Sequence, residues 1–334
     1  MKKAILIAIV FMVSLAGCEK AFMDENPPNT PQANFDQLWQ TFNDKYTYFG
    51  LKSLDWDSVY QAFAPRVNNS MTKNELFAVL DSMLFLLQDG HVNLVSDFNL
   101  SRNWEWYLNY PENFNYAVVE RNYLGSNYQI AGGLYYTILE GNVGYIYYPS
   151  FSSSTSVANL NAVFSYLANT KGLIFDIRNN GGGSLNNAYA LAARLAPQQQ
   201  TVLLRRYKTG PAPNEFSAQL GITLSPSSEV NYQKPAVLLT NRKSYSAANT
   251  FAAILSSYPQ IIQLGDRTGG GGGIPADQEL PNGWRYRFSA SRETTPSGEE
   301  LELGIAPNIS LDLDSTLLRQ GKDSFIERAL LELN

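Results

Sequence analysis

One strand–turn–helix pattern constrains the fold of this chain more than any other stretch. An apolar run at residues 236–239 is typical of a buried strand, and a polar turn follows at residues 240–243. Ser244 and Ser246 then open a predicted helix that continues through Leu255. A serine at such a junction lies at the carboxyl end of a sheet, where N–H groups of the helix start can face a developing negative charge. Taken alone, either serine is more often a helix cap than a nucleophile.

The same alternation of strand and helix recurs through the second half of the chain. Apolar runs at residues 144–148, 172–177, 201–207 and 261–264 predict further strands, and helical periodicity separates several of them. Strands that alternate with helices indicate a layered α/β core with a mostly parallel sheet.

The first half of the chain is predicted to be mainly helical. An apolar stripe runs from Phe35 to Tyr46 at helical spacing, and Thr72 with Glu75 forms a capping box ahead of another apolar stripe. These patterns predict a small helical domain at residues 33–90, followed by a short β or irregular connecting segment at residues 91–140. The α/β core then occupies residues 141–334. Within the connecting segment, residues 116–120 are predicted to form a strand.

Composition excludes several classes of function. The 334 residues carry a formal net charge of -5 and no run of Lys or Arg, so nucleic acid is not expected as a partner. A single cysteine excludes a disulfide framework within the chain, and together with a single histidine it leaves a zinc site without its usual ligands. No metal and no cofactor are therefore predicted.

The amino terminus has the pattern of an export signal. Lys2 and Lys3 precede an apolar stretch at residues 4–13 that is too short to span a bilayer. The tetrapeptide LAGC, which ends at Cys18, resembles a bacterial lipobox. We therefore expect a signal peptide at residues 1–17, a lipidated Cys18 with a flexible tether at residues 18–32, and a location in the bacterial cell envelope. The alternative is an ordinary signal peptide in which the cysteine occurs by chance.

Three separate stretches offer groups that serine chemistry needs. Residues 181–183 are glycines between a predicted strand and a predicted helix, so their N–H groups can face an anion; they match neither a P-loop nor G-x-G-x-x-G. Serine requires a base to remove its proton, and here the base is either His91 or a lysine with a lowered pKa. A carboxylate that orients this base is expected from the loop that contains Glu302.

These motifs resemble those of a known family. GLIFDIRNNGGG at residues 172–183, SYSAANTFAA at 244–253, LQDGHV at 87–92 and TPSGEELELGIAPNI at 295–309 are similar to motifs of the C-terminal processing peptidases and the tricorn core protease. Those proteins are serine peptidases with a crotonase-like α/β core. The likeness spans residues 35–314 and keeps the family's motif order.

The resemblance implies a role for each matching residue. Ser246 is the nucleophile and His91 the general base, and Glu302 orients that base, with Glu299 and Glu300 left open as neighbours. The N–H groups of Ala247 and of one of Gly182 or Gly183 form the oxyanion hole.

Three departures from the family pattern select one of its branches. The lysine of the processing-peptidase branch is Gly271 here, which points to the histidine-containing, tricorn-like branch. The glutamate that follows the nucleophile is Asn249. The segment between His91 and Gly144 is too short for a PDZ domain.

Three functions remain open from the sequence. The first is a lipid-anchored serine peptidase that acts on exported polypeptides through an acyl-enzyme. The second is an inactive peptidase-fold lipoprotein that binds peptides or hydrophobic ligands. The third is a structural lipoprotein in which Ser246 is only a helix cap.

Overall fold

The computed structural model of this chain describes residues 28–103 and 106–334. The predicted signal peptide and Cys18 lie outside the described residues, as does most of the predicted tether. Within these two ranges, no helix combines the length and the hydrophobicity that crossing a bilayer requires.

The helices and strands of the described residues alternate as the sequence predicts for the second half of the chain. The α-helices are α1 (Pro31–Lys45), α2 (Trp56–Phe63), α3 (Lys73–Phe85), α4 (Tyr116–Val119), α5 (Val157–Leu167), α6 (Leu185–Leu195), α7 (Ala247–Leu255), α8 (Ser315–Arg319) and α9 (Ser324–Glu332). The strands are β1 (Asn93–Val95), β2 (Leu100–Arg102), β3 (Gln129–Ala131), β4 (Leu134–Leu139), β5 (Val143–Tyr147), β6 (Gly172–Asp176), β7 (Gln200–Tyr207), β8 (Leu220–Leu224), β9 (Ala236–Thr240), β10 (Ile261–Gly265), β11 (Pro275–Glu279), β12 (Arg285–Ser289), β13 (Ser291–Thr294) and β14 (Ile309–Ser310).

A seven-stranded sheet forms the centre of the fold, in the order β14-β10-β9-β6-β5-β4-β3. The pairings from β14 through β5 are parallel, whereas β4 and β3 add an antiparallel edge. Every residue of β5, β6 and β9 is buried, as expected for parallel strands covered on both faces. The predicted fold class, an α/β core with a mostly parallel sheet, is confirmed.

Side chains of β9 show how the sheet separates two cores. Leu238 packs in the cluster that includes Phe251 of α7, together with apolar residues of α5 and α6. Val237 and Leu239 point to the other face and pack in the cluster that includes Phe325 of α9. The alternation follows from the two-residue period of a strand. The carboxyl end of β9 leads through a turn into α7, and the candidate nucleophile lies at that junction.

The helical region has a core of its own. Thr30, Asp55 and Thr72 cap α1, α2 and α3, and the capping box of Thr72 and Glu75 is confirmed. The apolar faces of these helices pack against Trp284 and other residues of the antiparallel sheet β11-β12-β1-β2. The hairpin β11–β12, which lies far along the chain, therefore completes the core of the helical region.

The strand predicted at residues 116–120 is wrong. The chain forms α4 there and continues into a π-helical turn, Glu120–Leu124. The side chain of Asn115 accepts a hydrogen bond from the N–H of Val118, which caps α4. Val119 and Leu124 are buried against the central sheet. The apolar residues of this stretch therefore pack a helical turn, not a strand, against the sheet.

A buried arginine ties the end of β6 to α9. Arg178 has no exposed side-chain surface and lies between two carboxylates, with Nη2 at 2.6 Å from Asp176 and Nη1 at 2.9 Å from Asp323. The rings of Phe114 and Phe325 each lie 4.8 Å from its guanidinium carbon. Since Asp323 also caps α9, this ion cluster connects the glycine turn after β6 to the C-terminal helix.

We predict that Arg178→Met lowers the free energy of unfolding by about 3–5 kcal/mol, because it leaves Asp176 and Asp323 buried without their cation. Chemical denaturation followed by circular dichroism measures this loss. The matched control, Arg328→Met, removes a partly exposed arginine from its i,i+4 pair with Glu332 and should cost less than about 1 kcal/mol. Equal losses in the two variants would contradict a structural role for the buried ion cluster.

Candidate active site

The backbone of Ser246 is strained at the junction of β9 and α7. Its φ is 56° and its ψ is -119°, a region that non-glycine residues rarely adopt. Its side chain makes no capping hydrogen bond, although it occupies the N-cap position of α7. Ser246 therefore does not cap α7 through its side chain, as one alternative from the sequence had it.

Ser244 has a different environment from Ser246. Its Oγ donates to the carbonyl oxygen of Ile177 at 2.9 Å and accepts from the N–H of Asn241 at 3.1 Å. These buried bonds hold the turn after β9 against the end of β6. Of the two serines, only Ser246 presents its hydroxyl to another side chain that can act as a base.

That side chain is His91, which lies 155 residues earlier in the chain. Its Nε2 is 3.0 Å from Oγ of Ser246, within hydrogen-bond range. His91 is buried in the turn that leads from α3 to β1. His91 follows directly on the predicted helical domain, and the structure brings its side chain to the hydroxyl of Ser246.

The surroundings of His91 favour its neutral form. Burial lowers the pKa of the imidazole, and the charge of Arg287 lowers it further, whereas the charge of Asp89 raises it. A neutral imidazole whose Nε2 carries no proton can accept the proton of Ser246. Nδ1 is buried and makes no hydrogen bond to any described residue.

Asp89 is the carboxylate in direct contact with the backbone of His91. Its Oδ1 accepts from the N–H of His91 at 2.8 Å, and its Oδ2 accepts from Tyr46 Oη–H at 3.0 Å and Ser289 Oγ–H at 2.9 Å. No role for Asp89 was predicted from the sequence. Its position two residues before His91, within the LQDGHV motif, was the feature that could have indicated one.

Glu302 has polar partners of its own, separate from those of Asp89. Its Oε1 is 2.9 Å from Lys52 Nζ, and its Oε2 accepts from the N–H of Gly272 at 3.2 Å. Burial raises the pKa of Glu302 to about 7, and the charge of Asp89 adds to that effect, while Lys52 and the Gly272 N–H oppose it. Glu302 and His91 share no hydrogen bond. Glu302 is thus held by Lys52 and by the N–H of Gly272, and it feels the charge of Asp89 without a hydrogen bond to the imidazole.

The two neighbouring glutamates are engaged elsewhere. Glu300 pairs with Arg292 at 2.5 Å, and Glu299 accepts from the N–H of Ala306 at 3.1 Å. None of the three glutamates is among the groups that shift the pKa of His91. Of the three, Glu302 is the one whose pKa the charge of Asp89 raises.

The glycine turn after β6 packs directly on the candidate nucleophile. A Cβ at Gly182 would lie 2.8 Å from the Cβ of Ser246 and 2.9 Å from the nitrogen of Ala247, so only glycine fits. The N–H of Gly182 donates to Asn180 Oδ1 at 2.9 Å. The N–H groups of Gly183 and Ala247 donate no hydrogen bond within the described residues. They are thus the better candidates among the three predicted oxyanion-hole residues.

Gly271 and Asn249, the two residues expected to depart from the family pattern, each make close contacts with neighbouring elements. Gly271 has a φ of 75°, and a Cβ there would lie 2.4 Å from the ring of Tyr245, so a lysine cannot occupy this position without displacing the ring. Asn249 donates to the carbonyl oxygen of Leu301 at 2.9 Å and accepts from Thr268 Oγ1–H at 2.6 Å. It therefore connects α7 to the turn that carries Glu302.

These groups open into a cavity of about 810 Å³. Ser246, His91 and Gly183 line it together, so a bound molecule could reach the hydroxyl, the base and the free N–H group at once. In the described ranges, no cluster of His, Cys, Asp and Glu is arranged to hold a metal ion. The arrangement can carry out acyl transfer, since it supplies a nucleophile, a base and donors for an oxyanion.

Known proteins resemble this chain in both fold and sequence. A solved structure described as a putative peptidase from Parabacteroides merdae is 40% identical, covers 92% of this chain and 97% of its own, and superposes with a TM-score of 0.86. The chloroplastic C-terminal processing peptidase of Tetradesmus obliquus is 28% identical over 51% of this chain, and the carboxy-terminal processing protease CtpA of Bacillus subtilis is 26% identical over 54%. The chain spans only 35% and 37% of the length of these two curated relatives.

Family profiles match two parts of the chain. The tricorn protease C1 domain matches residues 27–85, which include the three helices of the helical region. Peptidase family S41 matches residues 142–311, about half of the chain, and this range contains the glycine turn, Ser246 and Glu302. The resemblance noted from the motifs is confirmed, and the chain belongs to peptidase family S41.

Proposed function

We propose that this protein is a serine peptidase that hydrolyses peptide bonds of polypeptides through an acyl-enzyme. The observation that carries this proposal is the 3.0 Å contact between His91 Nε2 and Ser246 Oγ, made by a serine with a strained backbone. A hydroxyl that merely capped a helix would not require that conformation. Membership of peptidase family S41 supports the same reaction.

Each step of acylation has a group in place. His91 removes the proton of Ser246 as Oγ attacks the carbonyl carbon of the scissile bond. The N–H groups of Ala247 and Gly183 stabilise the resulting oxyanion. The imidazolium then gives its proton to the leaving amine as the carbon–nitrogen bond breaks. Water, deprotonated by His91, hydrolyses the ester and restores both residues.

In this proposal the two carboxylates act on His91 in different ways. Asp89 fixes the backbone of His91 and contributes a negative charge that favours the imidazolium. Glu302 acts at one remove, through its electrostatic coupling to Asp89 and its hydrogen bond from Gly272 in the cavity wall. Its part in orienting the base is therefore indirect.

The competing function is a binding protein on an inactive peptidase fold. Such a protein has no need for a base at hydrogen-bond distance from a serine, or for free N–H donors beside it. The presence of the serine, the base and an N–H donor in one cavity favours the enzyme over the binding protein. Active-site labelling separates the two.

We predict that a fluorophosphonate probe labels the protein at Ser246. Ser246→Ala should abolish labelling, and His91→Gln should slow it at least about a thousandfold, because the hydroxyl then lacks its base. Gel fluorescence over time measures the rates. Ser244→Ala is the matched control: it removes a neighbouring hydroxyl with only structural contacts, and the folded variant should still label. Labelling that persists in Ser246→Ala would refute the assignment of the nucleophile.

The pH profile provides a second prediction. His91 must be neutral to act as a base, and its pKa lies below the ordinary value of 6.5, so kcat/KM should fall only when the pH drops below that value. Asp89→Asn removes a charge that raises this pKa, so the acid limb should move to still lower pH. Peptide hydrolysis across a pH series measures both. A rate that rises only in alkali would indicate a lysine base instead.

We also propose that the mature protein is held in the bacterial cell envelope by a lipid on Cys18. The proposal rests on the lipobox-like LAGC sequence behind an apolar stretch. In cells, Cys18→Ser should shift the protein from the membrane fraction to the soluble fraction, as judged by fractionation and immunoblotting. A wild-type protein found only in the soluble fraction would contradict the anchor.

A further inference from the structure

The candidate active-site cavity carries an excess of positive charge. Arg242, Lys243 and Arg287 line it, and Glu293 is the only acidic residue among its described lining residues. The chain as a whole has a formal net charge of -5, so this concentration of cations is local. A cleft lined by one sign of charge raises the local concentration of ligands of the opposite sign.

The single acidic residue does not neutralise those cations. Glu293 is buried and lies 2.6 Å from Arg205, which approaches it from β7 and does not line the cavity. The charge of Glu293 is thus balanced by a partner outside the cavity.

Two of the three lining cations are already engaged. Lys243 Nζ is 3.0 Å from Glu112, and the Arg242 guanidinium lies over the ring of Tyr110 at 4.1 Å. Arg287 is held more weakly. Its Nε is 3.7 Å from Asp277, beyond hydrogen-bond distance, and its side chain is 44% exposed. Arg287 is therefore the cation best able to take a ligand from solution.

Arg287 also lies close to the base. It is the residue of β12 that pairs with Asn93, two residues after His91, and its charge lowers the pKa of His91. In acyl transfer the imidazolium gives its proton to the leaving amine, so the leaving part of a substrate lies on the His91 side of the scissile bond. Arg287 consequently borders the region that the leaving segment occupies.

We propose that Arg287 is a specificity-determining residue that selects substrates with a carboxylate on the leaving-group side of the scissile bond. The inference rests on the proposed function and names a substrate class for it. The carboxylate is that of an acidic side chain close to the cleaved bond. An arginine fork suits such a side chain, because it binds a carboxylate through two parallel hydrogen bonds.

The test uses a peptide whose cleavage position has been mapped by mass spectrometry. Three versions differ only after the scissile bond: Glu with an amidated C-terminus, Gln with an amidated C-terminus, and Gln with a free C-terminal acid. At low salt, kcat/KM should be roughly threefold to tenfold higher for the Glu version than for the uncharged Gln version. A preference for the free-acid version alone would contradict selection of an acidic side chain. The preference for the Glu version should shrink in 0.5 M salt, because exposed charges are then screened.

Substitution of Arg287 should remove the preference. Arg287→Gln should bring the ratio of kcat/KM for the carboxylate peptide to kcat/KM for the uncharged peptide towards one, and Arg287→Glu should bring this ratio below one. Arg285→Gln is the matched control, since Arg285 lies two residues earlier on the same face of β12 but does not line the cavity. Its ratio should match that of the parent. A ratio near one in the parent, or a ratio unchanged by Arg287→Gln, would overturn the proposal.

A binding measurement keeps this result separate from the catalytic assignment. The Ser246→Ala variant should bind the same three peptides with the same order of Kd, as measured by fluorescence anisotropy, and Arg287→Gln in that background should equalise them. Absence of both labelling and cleavage in the parent would contradict the proposed function. Equal Kd values for the three peptides on Ser246→Ala would contradict only the carboxylate selection.

Discussion

The position of His91 depends on one buried carboxylate, that of Asp89. It accepts hydrogen bonds from the end of α1 through Tyr46, from the end of β12 through Ser289, and from the backbone of His91 itself. Three parts of the chain thus meet at two oxygen atoms, since Tyr46 lies 43 residues before Asp89 and Ser289 lies 200 residues after it. Because a buried carboxylate is costly unless it is hydrogen-bonded, each donor stabilises the arrangement of the other two. The helical region is therefore part of the site and not an appendage to it.

The serine side of the site is held by different forces. The strained φ of Ser246 is maintained by a hydrogen bond from its N–H to the Gly270 carbonyl oxygen at 2.9 Å and by the close approach of Gly182. The turn that carries Gly182 begins at Arg178, whose ion cluster fixes it to α9. Local strain can persist at Ser246 because the surrounding packing leaves the chain no relaxed alternative. The conformation of the candidate nucleophile thus depends on interactions distributed across the central sheet.

The parts of this structure that the sequence predicted are those governed by local pattern. The apolar runs of β6 and β9, the capping box at Thr72 and the strand–glycine–helix turn all depend on neighbouring residues and were recognisable. Periodicity failed at residues 116–120, where a side-chain cap from Asn115 decided the conformation. It also gave no sign that β11 and β12 complete the core of the helical region, or that Asp89 joins Tyr46 and Ser289. Those contacts are set by the tertiary fold, which a linear pattern does not encode.

The glycine at position 271 and the histidine at position 91 are physically linked. At Gly271 the space a side chain would need is filled by the ring of Tyr245, and that ring packs against the imidazole of His91 with centroids 5.2 Å apart. A lysine at position 271 would displace Tyr245 and with it one wall of the histidine pocket. Burial by that wall also contributes to lowering the pKa of His91, which favours the neutral imidazole. Glycine at position 271 thus makes room for the ring that encloses the candidate base.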